Sequence, residues 1–536
     1  MICKAHNIFN SQFIRMSFYS TIADYVRNLL KISKYRDIES LLKKLKWCKP
    51  NWAYLEMSPE AAALLDAPAP PSQLSHDLEE VIKRSNAFPI PFPISTMRLV
   101  ELKKTRPVER LQSNIESTYP VVHERLLRLM AHFILYKREY GSDVEKQLYK
   151  EMTVPQLIDR ILLKRAICFI GPRDKYNLIT QESGAGSWES VGTDDEKPPL
   201  VLANCLSYDE IKLSALLCVS GHTECINDGT RHNRGEPSED ITQNAVIIGC
   251  VGPRFQRPGR MDCEEILVPR TGSVAWRLLW DTFFEVKDDP EVDKSSLAIG
   301  SRAGDERLYT ERYVRITKED LVFDNEAFYK RIALLAETVL LEANERARVD
   351  GRPAFVNVIG CGLGVWRVSR HQVDVYVLTF VERARALLAA GLLDHVAYVN
   401  FSYIQPSPDI AALFQTNIKK EKFDSESALF LEKSEHPEEG ICVLVEKREP
   451  SSKLLGARAR CLLVMMYAWD GNAHPGNEFW RGALGSSGDP AAACSTQVSE
   501  LHNAHVNAHV RAAHARVPSE NGVRTLYGTL PSVHAV

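Results

Sequence analysis

Apolar positions recur at helical spacing through the first third of the chain. Ile22, Tyr25, Val26, Leu29 and Leu30 share one face, with basic residues opposite, and Leu41, Leu42 and Leu45 continue the pattern. A proline-rich break at 67–71 follows. Leu126, Leu127, Leu129 and Met130 predict a helix over 121–136. Thr153-Val154-Pro155 reads as the entry to another over 154–164. Near residue 167 the pattern changes. Residues 184–199 are loop by content, and β-rich runs follow at 244–251 and 265–268, punctuated by Gly252-Pro253 and Pro258-Gly259. The last two hundred residues alternate. A helix over 328–349 points Leu334, Leu335, Val339, Leu340 and Leu341 inward. Then come a strand at 354–359, a helix at 369–390, and strands at 396–404, 441–446 and 461–467. The last element is a helix over 489–501, with Asp489 as N-cap and Pro490 at the first helical position. Apolar strands alternating with helices predict an α/β fold, a mixed or largely parallel sheet flanked by helices. The ligand of such a sheet sits at the carboxyl ends of its strands.

Composition narrows the classes. With 66 Lys and Arg against 69 Asp and Glu, the net charge of -3 excludes a basic nucleic-acid sleeve over the whole protein, and no nucleic-acid partner is expected. No apolar run approaches the roughly 20 residues that cross a bilayer, so no membrane partner is expected either. The 12 cysteines contain no CxxC pair, which argues against a zinc ribbon and for reduced thiols in a cytoplasmic or nuclear protein. The first 23 residues carry Lys4 and Arg15 with no acid before Asp24, a weak likeness to a mitochondrial presequence. An over-extended start with Met16 as initiator is the preferred reading.

Chemistry concentrates in loops. Gly360-Cys361-Gly362-Leu363-Gly364-Val365-Trp366 follows a predicted strand, and its glycines would let backbone amides approach a phosphate. A tight turn packed under Trp366 is the plain alternative. The second loop runs from Asp470 through Asn472, His474, Gly476, Asn477, Glu478 and Phe479 to Asp489. Carboxylates and amides there suit sugar hydroxyls and an activated water. Capping explains Asp489 and an Asx turn explains Asp470 and Asn472, but Glu478 has no such local reason. A third segment, Asn227-Asp228-Gly229 with Arg231, Asn233 and Arg234, then 251–255 and 261–265, could equally be a surface hairpin or border a cleft and supply an arginine or acid. His502, His505, His509 and His514 lack acid or cysteine partners nearby, so no metal is assigned. Cys494 reads as a small buried residue rather than a nucleophile.

These loops carry a resemblance. Val-Gly-Pro-Arg-Phe (251–255), Gly-Leu-Gly-Val-Trp (362–366), Pro-Gly-Asn-Glu-Phe-Trp (475–480) and Ser-Gly-Asp-Pro-Ala-Ala-Ala-Cys (487–494) are similar to a family of invertebrate and bacterial proteins. That family contains the bacterial effector MavL, which removes ADP-ribose from an arginine of ubiquitin. The likeness spans roughly 165–510. It implies a macrodomain-like domain over 166–510, circularly permuted because the diphosphate-type loop precedes the Asn loop. A helical module (1–165) would precede it. Residues 511–536 look unlike the family and read as a divergent, disordered tail or a gene-model artefact. The resemblance implies an ADP-ribosylhydrolase acting on ADP-ribosylated protein, with ubiquitin as a candidate and no cofactor. The alternative is a reader that binds ADP-ribose without cleaving it. Carried over by position, Asp470, Glu478 and Asp489 are the implied catalytic acids, with Glu478 standing where the family pattern implies Asp. Asn472, Gly476, Asn477, Phe479, Gly360, Gly362, Leu363, Gly364, Val365 and Trp366 are the implied ligand contacts, with Trp366 or Phe479 against adenine or ribose. The triple-glycine run of ordinary macrodomains is absent, since Asn477-Glu478 interrupts it.

Overall fold

The computed structural model describes residues 34–529 apart from 72–73, 287–291, 301–303, 317–320 and 416–427. The predicted 22–30 helix and the presequence-like segment lie outside the described residues. Ten strands form one mixed sheet. In spatial order they are Ala428–Glu432, Gly440–Leu444, Val396–Phe401, Ala354–Val358, Leu462–Ala468, Asn244–Cys250, Cys218–Glu224, Tyr119–Val121, Arg516–Ser519 and Gly522–Thr525. The run from Gly440–Leu444 to Asn244–Cys250 is parallel throughout. All those strands therefore end on one edge, as the alternating pattern predicts. Ala354–Val358 is buried at every position, which is why it reads as a continuous apolar run and not an alternating one.

The long helix Asn325–Asp350 crosses the sheet face. Asp324 caps it by accepting the Glu326 and Ala327 amides, and Gly351 ends it in the left-handed region (φ 79°). Gln372–Ala389 packs beside it. Among the described residues, no helix is long and apolar enough to cross a membrane.

Two predicted boundaries do not separate bodies. Tyr119–Val121 lies within the supposed helical module, yet it is a strand of the main sheet, paired with Cys218–Glu224. The helix after it is Glu124–Tyr140, starting later than predicted because residues 119–121 are spent on pairing. Its Leu126, Leu129 and Phe133 share one core with Val219 and Val246. At the other end, Arg516–Ser519 pairs in parallel with Tyr119–Val121, and Val517 and Leu526 are buried. The segment from 511 to 529 is thus no tail, because it completes the sheet. The predicted loop after 183 holds the last strand of a small antiparallel sheet, Cys168–Ile170, Lys175–Asn177 and Ser183–Ala185.

Candidate active site

Leu462–Ala468 runs between Asn244–Cys250 and Ala354–Val358, parallel to both. Neighbouring strands are about 4.8 Å apart, so the loops that leave their carboxyl ends are neighbours too. These are 251–255, 359–366 and 469–480. Contact is close where the first two meet: a Cβ on Gly252 would stand 2.1 Å from the Gly362 nitrogen, and Gly362 takes φ +76°. Only glycine fits either position. Trp366 and Asn472 line one small cavity, together with Val251, Arg254, Asp262 and Gly471. The glycine loop and the Asn loop therefore share a crevice.

The three acids come together in the loop that follows Leu462–Ala468 and the helix start after it. Asp489 is not the predicted N-cap. The helix is Gly488–Ser495 with Ser487 at the cap, and a second short helix, Val498–Leu501, follows a break. The buried Asp489 carboxylate instead accepts the Gly476 amide (2.7 Å) and the Asp470 amide (3.2 Å), tying the 470–476 loop to the helix start. Asp470 accepts from the Asn477 side-chain amide at 2.5 Å. The half-buried Glu478 accepts from the Ser487 hydroxyl at 3.3 Å and from its own backbone amide. Burial raises all three carboxyls. The Asp470 charge then raises Glu478 further, to about 7, and the charges of Asp470 and Glu478 raise Asp489. The Arg254 charge works the other way on Asp470. Like charges this close oppose one another's ionisation, so the three titrations are linked.

The implied ligand contacts divide. Asn472 is 2% exposed, and neither its amide oxygen nor its nitrogen has a partner in the protein. A buried, unsatisfied amide is costly unless a ligand or water completes it, and here it faces the crevice. Asn477 is otherwise employed. Its oxygen accepts the Phe169 amide (2.8 Å) and its nitrogen donates to the Phe169 carbonyl (3.1 Å) and to Asp470, so it clamps the small sheet onto the acid loop. Phe479 is 0% exposed and packs edge-on against Trp480, so the suggested stacking on adenine or ribose is corrected to a core role. The Gly476 amide is taken by Asp489. In the glycine loop, Leu363 closes a turn on the Gly360 carbonyl, while among the described residues the amides of Gly362, Gly364 and Val365 have no hydrogen-bond acceptor. Val365 is 90% exposed, and Trp366 is half-buried with its ring 5.2 Å from the Arg254 guanidinium.

The third segment does border the site. Asn227 and Asn233 donate to the Cys494 and Ala491 carbonyls, and Arg231 to Ser486, which packs the 227–235 turn against the acid helix. Arg231 also lowers Glu478 slightly by charge. The tail histidines are spent locally: His502 on Tyr467, His505 on the Leu163 carbonyl and His509 on Thr118. Among the described residues no group of three or more His, Cys, Asp or Glu could hold a metal. Two features escaped the sequence reading. One is the small sheet that Asn477 holds over the loop, and the other is Arg165. Arg165 is buried beneath the loop without a carboxylate, stacks on Trp469 (4.1 Å), and bonds the Gly471 carbonyl and Ser214. Burial lowers it to about 9.

Comparison with known proteins points to one family. A family model described as ADP-ribosylhydrolase MavL-like matches residues 79–528. Two proteins of Drosophila melanogaster, both named ADP-ribosylarginine hydrolase (CG3568 and CG2909), are similar. The first is 37% identical over 448 residues, covering 81% of this chain and 84% of its own. The second is 36% identical over 453 residues, covering 80% and 84%.

Proposed function

The chain belongs to the MavL-like family of ADP-ribosylhydrolases, and from that premise we propose that it cleaves the bond between ADP-ribose and an arginine side chain of a modified protein. Removal of ADP-ribose from protein follows from the family; the arginine linkage is supported by the names of both fly relatives. Arginine-modified ubiquitin is the proposed substrate to try first.

ADP-ribose lies along the carboxyl edge. Its diphosphate takes the free amides of Gly362, Gly364 and Val365, and Asn472 satisfies its buried amide on the distal ribose hydroxyls. As the C1″–N bond lengthens, positive charge gathers at C1″, and the ionised Asp470 stabilises it. Water adds at C1″. Glu478, the least constrained acid and the one raised to about 7, orients it and takes its proton, which then passes to the departing guanidine. Asp489 is a positioning residue in this scheme, because both its oxygens hold loop amides. The observation that carries the reading is the unpartnered Asn472 amide, which lines one cavity with Trp366 of the glycine loop and lies in the same loop as Asp470 and Glu478.

Incubating the protein with arginine-ADP-ribosylated ubiquitin should release free ADP-ribose, and Glu478→Gln should bind ADP-ribose yet release little. Crowding three carboxyls beside an anionic ligand makes poor sense for a mere reader. Tight ADP-ribose binding with the modified ubiquitin left intact would establish the reader instead.

A further inference from the structure

Arg254 is 8% exposed, and among the described residues no carboxylate lies within ion-pair distance of its guanidinium. Its Nε has no partner, and its terminal nitrogen makes only a long 3.4 Å contact with Gln256. Other arginines in this wall are satisfied. Arg331 bonds Asp262 and the Ala215 and Val251 carbonyls, and Arg165 bonds Ser214 and Gly471. A buried cation left unpaired is expensive, and proteins keep one where a ligand completes it.

The side chain is held as if for that purpose. The Arg254 backbone amide donates to Asp262 (2.7 Å), which Arg331 anchors in turn (3.1 Å). The guanidinium lies near two rings, 5.7 Å from the Phe169 centroid and 5.2 Å from that of Trp366, and Arg254 lines the small cavity. It shares the cavity with Asn472 and feels the Asp470 charge. Its position is thus between the acids and the glycine loop.

We propose that Arg254 grips the phosphate adjoining the distal ribose, through charge-assisted hydrogen bonds to its oxygens. This rests on the reading of this edge as the ADP-ribose site. The unpaired cation then balances the ligand's anion, and the backbone amides of the glycine loop complete the grip from the other side.

The test is calorimetric binding of ADP-ribose to the full-length protein, with inorganic pyrophosphate as competitor. Arg254→Gln should weaken ADP-ribose binding by about 10- to 100-fold and remove the competition. Arg254→Lys, which keeps charge but loses the planar fork and guards against a folding failure, should fall between. Wild-type affinity in Arg254→Gln would overturn the proposal. So would unchanged affinity with a displaced pH–rate profile, which would mean that Arg254 acts only on Asp470. If the wild-type protein fails to bind ADP-ribose at all, the underlying reading of the site falls with it.

Discussion

Replacing Glu478 by Gln should make the protein more stable above neutral pH while it loses turnover. Burial, and then the charge of Asp470, moves the Glu478 carboxyl from 4.5 to about 7. At about 1.4 kcal/mol per tenfold, ionising it in the folded protein costs at most about 3.5 kcal/mol more than in the unfolded chain. The group reaches solvent on one side, so a screened value of about 1–2 kcal/mol is the working figure. The sign follows from proton binding. The folded state holds this proton more tightly, so the extra stability is complete below about pH 4.5, fades as pH rises towards 7, and is gone above it. Glutamine imitates the protonated acid at every pH. Urea unfolding should therefore give the variant an advantage of about 1–2 kcal/mol at pH 8 and almost none near pH 4.5. Release of ADP-ribose should fall by about 10²–10⁴-fold, the usual range for a lost general base. In the wild type, the rate should climb as pH rises through about 7 and then level off. A stability gap that is the same at both pH values would refute the raised carboxyl, and an unchanged rate would refute its role.

Asn472→Ala should leave stability unchanged or slightly higher, since it removes an unsatisfied buried amide, yet weaken ADP-ribose binding by about 10-fold or more; melting curves and calorimetry separate the two effects. Asn477→Ala removes both bonds to Phe169 and the bond to Asp470, so it should lower stability by about 2–4 kcal/mol and turnover with it, whereas a pure ligand contact would spare the melt. Truncation after Val510 strips a paired strand and the buried Ala512, Ala515, Val517 and Leu526, and should cost about 5 kcal/mol or more, visible as insoluble expression; a soluble, active truncation would contradict the role of this strand.

The sheet was legible where the chain repeats strand and helix. Runs such as 354–359 and 461–467 are too short and too apolar to be anything but covered strands, and the long helices between them carry a wide apolar face. It was illegible outside that repeat, where the pattern predicts neither Ala428–Glu432 on one edge nor Cys218–Glu224 and the short strands towards the other. Tyr119–Val121 is three residues with a proline, and Arg516–Ser519 is four residues with another, so neither has room for a period. Only long-range pairing makes them strands, and pairing partners 395 residues apart leave no local trace. The same limit explains Asp489. Asp-Pro at a helix start fits a cap by statistics, but its carboxylate is turned towards Gly476 and Asp470 by a loop that sequence distance does not reveal.

The residues that matter most share a property that motif reading cannot detect, which is what they lack. Asn472 was singled out for its amide, but its force as evidence comes from both amide atoms being buried without partners. Arg254 was one residue in a string, and only the fold reveals that, among the described residues, no carboxylate lies within ion-pair distance of its guanidinium. Together they give the crevice two poles. Carboxyls crowd one side, and the Arg254 guanidinium, near enough for its charge to act on Asp470, stands on the other. A ligand anionic at its diphosphate and cationic at its far tip fits both poles, and arginine-linked ADP-ribose is such a molecule. After cleavage the cationic tip is gone. Free ADP-ribose then keeps the arginine pole but sets no positive charge against the acids, so the same electrostatics that seat the substrate weaken the hold on the product.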